Sequence, residues 1–196
     1  MITQIAGYLS GILILLSFVP YIRDIFLHKT KPERASWLIW SLLGLISFFS
    51  QHAKGAQYSL IFTAAQAAGD SLIFLLAIKY GLGGLKRRDI LGLTGAVSGL
   101  ILWYVVGEAA IALLMVIFVD AIGAVLTVMK SYRNPSTETV SSWYLTFWGA
   151  FFGCVAIGKL NLILLAFPFY TCFAALAILI SIKLGFKNQL KLKCHF

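Results

Sequence analysis

The chain has 196 residues, of which 60% are hydrophobic and only 12% charged, with a mean hydropathy of +0.91. A soluble domain of this length cannot hide so much apolar surface, so composition excludes that class and points to an integral membrane protein. The net charge of +9 would suggest nucleic acid in a soluble protein, but its distribution along this chain follows a membrane pattern instead.

A helix needs about 20 apolar residues to cross a bilayer core. Seven stretches are predicted to do so: Ile5–Leu27, Ser36–Gln51, Gln57–Lys79, Asp89–Val106, Glu108–Met129, Ser141–Gly158 and Asn161–Ile182. They are too long, and lack the alternation, for barrel strands. Backbone groups in lipid must be satisfied within the segment, so helices follow. The expected fold class is an all-α polytopic membrane protein with seven transmembrane helices. The first residues, Met1–Gln4, carry no Lys or Arg, and no small-residue cleavage site follows the first run. That run is expected to stay as a true span.

The first span reads "FVPYIRD" at residues 18–24. Pro20 has no N–H, so the carbonyl of Leu16 loses its helical donor and the span can bend. Pro20 is a candidate hinge, although prolines are frequent in transmembrane helices generally. Arg23 and Asp24 fall at its end, as a cytoplasmic gate or as a snorkelling headgroup contact. Trp37 and Trp143 open the second and sixth spans beside basic loops and read as interface anchors. Trp40 and Trp148 lie deeper and are candidates to stack on a substrate, with core packing as the alternative.

The third span contains "AAQAAGDSLIF" at 64–74. Gln66 and Asp70 are four residues apart and share one helix face. They read as a polar pocket or as interhelical hydrogen bonding. The fifth span contains "FVDAIG" at 118–123. Asp120 lies about 18 Å from Glu108 and about 15 Å from Lys130 along the helix, near the midplane. An ionised acid there costs at least about 2.5–3.5 kcal/mol, which is avoided if it faces a wet cavity, finds a donor or takes up a proton. Asp120 is the candidate proton-coupling or substrate-binding acid. The alternative is a neutral acid that bonds a neighbouring helix for packing. Tyr170 and Thr171 of the last span complete the candidate solute-binding set.

Gly95 and Gly99 form one GxxxG, Gly149 and Gly153 another, and each permits close helix approach. Cys154, Cys172 and Cys194 are odd in number and lack CxxC spacing, which argues against a disulfide framework or a zinc site. His28, His52 and His195 belong to no catalytic motif, and no P-loop or nucleophile elbow occurs. No enzyme activity, metal or cofactor is expected.

Fourteen of the sixteen Lys and Arg residues fall on one side of this seven-span plan, and only Lys54 and Lys159 on the other. The positive-inside rule then places the N-terminus outside and the C-terminus in the cytoplasm; a plasma membrane is the expected location. The basic tail is expected to lie against anionic headgroups or to be a solvated flank.

The chain also repeats. Phe18-Val19 returns as Phe118-Val119. The basic loop "HKTKPERASW" (28–37) returns as "KSYRNPSTETVSSW" (130–143), and "AIKYG" (77–81) as "SIKLG" (181–185). The offsets are 100, 106 and 104 residues. Pro20 and Asp120 occupy matching sites, and Gln66 pairs with Tyr170. This predicts a first three-helix repeat at 1–81, a linker helix at 82–107, a second repeat at 108–185 and a basic tail at 186–196. The extra span restores the orientation of the second copy, so the two repeats run parallel, an arrangement found in transporters with the substrate site near the midplane.

The stretch "FVPYIRDIFLHKTKPERASWLIWSLLGLISFF" resembles a PQ-loop repeat, and the 3+1+3 plan is that of the PQ-loop and SWEET superfamily. The family's Pro-Gln is Pro20-Tyr21 here and Asp120-Ala121 in the second copy. The "WLIW" of Trp37 and Trp40 is similar to the WxxW of PnuC-type vitamin carriers, but on a different span. The resemblance implies a carrier or facilitator that moves a small polar solute, of the sugar, amino acid or vitamin class, by alternating access, with Gln66 as a binding amide. Receptors on the same scaffold give the alternative, a non-transporting receptor or assembly protein. Beyond the solute and lipids no partner is expected, and a homo-oligomer is left open.

Overall fold

The computed structural model of the chain describes residues 1–82 and 109–193, with six single helical positions between them: Ile90, Thr94, Val97, Ser98, Ile101 and Val105. The expected fourth span, the linker that contains it and the Gly95–Gly99 pair fall outside the described residues but for those positions. So does the end of the tail, residues 194–196. Among the described residues six α-helices form the body: α1 Ile2–Phe26, α2 Arg34–Ala53, α3 Leu60–Tyr80, α4 Ala109–Arg133, α5 Val140–Val155 and α6 Leu162–Lys193. A 3-10 turn, Pro135–Thr137, precedes α5. Among the described residues there is no strand, only a single bridge between Glu33 and Leu82.

Among the described residues, three helices, α1, α3 and α6, are long and apolar enough to cross a membrane. Two others depart from the expected spans for physical reasons. α2 buries twelve of its 20 residues, among them Ser36, Ser41, Ser47, Ser50 and Gln51, so it meets protein rather than lipid along most of its surface. α5 has 16 residues, about 24 Å of helix against a core of about 30 Å. α6 is longer than its expected span and carries the helix through Lys187 and into the basic tail. There the Gln189 side chain donates to the carbonyl of Arg133 at 3.2 Å.

The distribution of residues is inverted relative to a soluble bundle. α1 turns Ile5, Ile12, Leu15, Leu16 and Val19 outward, all exposed, and buries Gly7, Ser10, Gly11 and Ser17. Small and hydroxylated residues inside, with large apolar residues outside, are what helices packed in lipid require. Glycines mark the close approaches. A methyl group on Gly149 would come within 2.8 Å of Ile14 on α1, and the Ser10 hydroxyl donates to the Gly149 carbonyl at 2.6 Å.

The main helix contacts close a ring in the order α1, α3, α2, α4, α6, α5 and back to α1. Hydrogen bonds fix the direction of each helix. The end of α1 meets the start of α5 where Thr139 donates to Asp24 at 2.9 Å. The start of α2 meets the end of α3 where the Arg34 side chain donates to the carbonyl of Ala77 at 2.9 Å. The end of α4 meets both the first loop and the turn before α5, because Lys130 donates to the Lys31 carbonyl and to Glu138. α1, α3, α4 and α6 therefore run one way, and α2 and α5 the other. Arg23, Lys29, Lys31, Arg34, Lys79, Lys130 and Arg133 gather at one end of the ring; Lys54 and Lys159 follow α2 and α5 at the opposite end.

Candidate functional site

All six helices contribute to one cavity at the centre of the ring. Its lining comes from the halves of α1, α2 and α5 nearer the basic end, and from the middle of α3 and α4. The cavity volume is about 50 Å³, room for a few waters.

Of the residues expected to bind solute, Trp40, Gln66, Asp70, Tyr170 and Thr171 all line this cavity, and so does Asp120. Asp120 is the twelfth residue of the 25 in α4, so the mid-helix placement expected from the sequence holds. Its carboxylate accepts a hydrogen bond from the Tyr170 hydroxyl on α6. Asp70 is 3% exposed, and its two carboxylate oxygens accept from the Gln66 amide at 3.2 and 3.1 Å. The four-residue spacing of Gln66 and Asp70 is what brings them together on α3.

Trp148 does not line the cavity. It is half exposed on the outward face of α5, edge-on to Phe147 and Phe151. Pro20 lies within α1, which continues through it to Phe26, and is also outside the lining. One turn before it, the Ser142 hydroxyl donates to the Ser17 carbonyl at 2.7 Å and ties α5 to α1.

Trp37 and Trp143, expected as interface anchors, are instead buried in the cavity wall. α2 and α5 start three residues ahead of them, which turns both indoles inward. Tyr21, Trp37, Trp40 and Trp143 form a chain of ring contacts, with centroids 5.0, 5.1 and 6.2 Å apart in sequence. The Trp143 indole N–H donates to Glu138 at 3.1 Å, and Glu138 in turn pairs with Lys130 at 2.8 Å. On the other side of the cavity Phe62 packs against Phe167 at 6.0 Å.

Sequence reasoning missed Ser17, Tyr21, Ser142 and Thr146, which also line the cavity. A signal for the first two was present. Gly7, Ser10, Gly11, Ile14, Ser17, Phe18 and Tyr21 form a stripe at three- and four-residue spacing in α1, the pattern of an inward face.

Fold and site together fit a helical membrane protein built around a central, largely apolar cavity that holds two carboxyl groups. Comparison with family models, with curated proteins and with solved structures found no match for the chain.

Proposed function

We propose that the protein is a secondary carrier of the PQ-loop and SWEET type, which moves a small polar solute across the plasma membrane by alternating access. The observation that carries this reading is the cavity, where residues from every described helix meet around Asp70 and Asp120. The reading takes the chain as two parallel three-helix repeats, with seven spans in all. The ring supports it, because a half-turn carries α1, α3, α2 onto α4, α6, α5. α3 and α4 run in the same direction, as one crossing between them requires. Gly55 and Gly158, 103 residues apart, share a φ of 75° after α2 and α5, which adds a fourth landmark to those in the sequence. The positive-inside rule places the basic end in the cytoplasm and the N-terminus outside.

In this reading Asp120 couples transport to protons and Pro20, at the matching site of the first repeat, serves as the hinge. A carboxyl group in the cavity that can exchange a proton gives the two access states different charge. The test is uptake into proteoliposomes under an imposed proton gradient. Wild-type protein should respond to the gradient, and Asp120→Asn should not. A gradient response that survives intact in Asp120→Asn overturns the coupling role. The rival reading, a receptor on the same scaffold, binds solute at this cavity without net flux, so the flux measurement separates the two.

A further inference from the structure

Four hydroxyls of the cavity spend their protons on other protein groups. Ser17 donates to the Ile14 carbonyl at 2.7 Å, Ser142 to the Ser17 carbonyl at 2.7 Å and Thr171 to the Phe167 carbonyl at 2.9 Å. The Tyr170 proton goes to Asp120. These hydroxyls turn lone pairs, not protons, toward a ligand. Gln66 spends its amide N–H on Asp70, and its buried carbonyl oxygen has no partner. The remaining donors are the Trp40 indole N–H, buried without a partner beside Gly123 on α4, and the hydroxyls of Tyr21 and Thr146. Two carboxyl groups line the space, and among the described lining residues no Lys, Arg or His balances them.

A neutral sugar leaves both acids without a counter-charge. A carboxylated solute meets two acids and no cation. A small organic cation answers the uncompensated acids: its ammonium faces Asp70 and Asp120, and Trp37, Trp40 and Trp143 line the same space, where aromatic rings favour positive charge. From this geometry we infer that the solute is a small organic ammonium without an acid group, with an oxygen on its arm to accept from Trp40. This rests on the carrier reading for transport but not for binding.

The experiment uses full-length protein in detergent for binding, read by tryptophan fluorescence, and in proteoliposomes for uptake. The probes are ethanolamine and choline, the neutral isostere 3,3-dimethylbutan-1-ol, and the carboxylated counterparts glycine and glycine betaine. Ethanolamine or choline should bind, and the neutral and carboxylated probes should bind at least about tenfold more weakly, which corresponds to about 1.4 kcal/mol. Asp70→Asn should weaken binding of the cation by a similar factor. Trp40→Phe, which keeps a ring and removes the N–H, should weaken ethanolamine several-fold while leaving the preference for cations intact. Equal or tighter binding of the neutral or carboxylated probes overturns the inference, and so does no binding of either cation. Cation binding without uptake leaves the inference standing and overturns the carrier reading. Uptake of glycine or of a neutral solute in place of the cations does the reverse.

Discussion

Tyr170 on α6 donates its phenolic proton to Asp120 on α4. Gln66, 104 residues earlier, does the same service for Asp70 on its own helix. Two positions that the repeat offset equates thus each hold a carboxylate in one cavity, one across a helix interface and one along a helix.

Tyr170→Phe removes the donor and leaves the Asp120 carboxyl without a protein partner. Asp120 is only partly buried, so the loss should fall at the low end of the about 1–3 kcal/mol that an unsatisfied buried group costs. Thermal unfolding in detergent should register that loss. In an Asp120→Asn background the same substitution should cost less, because the interaction is already weakened. Equal cost in both backgrounds would mean that the bond contributes nothing.

The α2–α4 seam offers a steric prediction. A methyl group on Gly123 would come within 2.9 Å of the Trp40 indole nitrogen. That ring is held between Trp37 and Trp143 and has little room to yield. Gly123→Ala should cost about 1–3 kcal/mol by overpacking and should shift the tryptophan emission. An unchanged melting temperature with an unchanged spectrum contradicts the packing described for this seam.

Much of the cavity was legible in the sequence because polar residues in apolar segments are expensive and therefore conspicuous. Asp70, Asp120 and Gln66 stand out for that reason. Tryptophan carries no such mark. Trp148 and Trp143 lie five residues apart on α5, and the sequence does not say which one faces inward. That depends on which face α1 and α6 cover, a tertiary fact. Trp143 is buried and Trp148 half exposed, the reverse of the order that depth along the span implied. Glu138 was equally hidden. It reads as a loop residue, yet its side chain is 1% exposed and paired with Lys130, because the turn at Pro135–Thr137 folds it under α4. That the six described segments are helical was readable from length and hydropathy. The ends of α5 and α6 were not, since neither a short buried helix nor one that continues past the membrane leaves a break in the pattern.

The two tryptophans of α5 should separate cleanly by mutation. Trp143→Leu removes a buried indole and the hydrogen bond that it gives Glu138, so about 3 kcal/mol of destabilisation is expected. Trp148→Leu exchanges one exposed apolar side chain for another, so its effect should stay within about 0.5 kcal/mol. Uptake should fall with the first substitution and persist with the second.

The basic end of the ring carries its own closure. Lys130 ties the loop before α2 to the turn before α5 through the Lys31 carbonyl at 3.3 Å and Glu138 at 2.8 Å. Thr139 bonds both Asp24 and Thr30, at 2.9 and 2.8 Å. These contacts join the two halves of the chain directly over the side of the cavity nearest the basic end. Glu138→Gln keeps the shape and removes the charge that holds Lys130. The expected cost is about 2 kcal/mol, below the 3–5 of a fully buried pair, because Lys130 keeps a fifth of its side chain exposed. If this cluster is a gate, its weakening should open the cavity. A cysteine placed at Ser142, with Cys154, Cys172 and Cys194 replaced by alanine, should then react faster with a membrane-impermeant thiol reagent applied from the basic side. Faster labelling from the opposite side alone would show that the closure lies elsewhere, with the Phe62–Phe167 packing the next place to look.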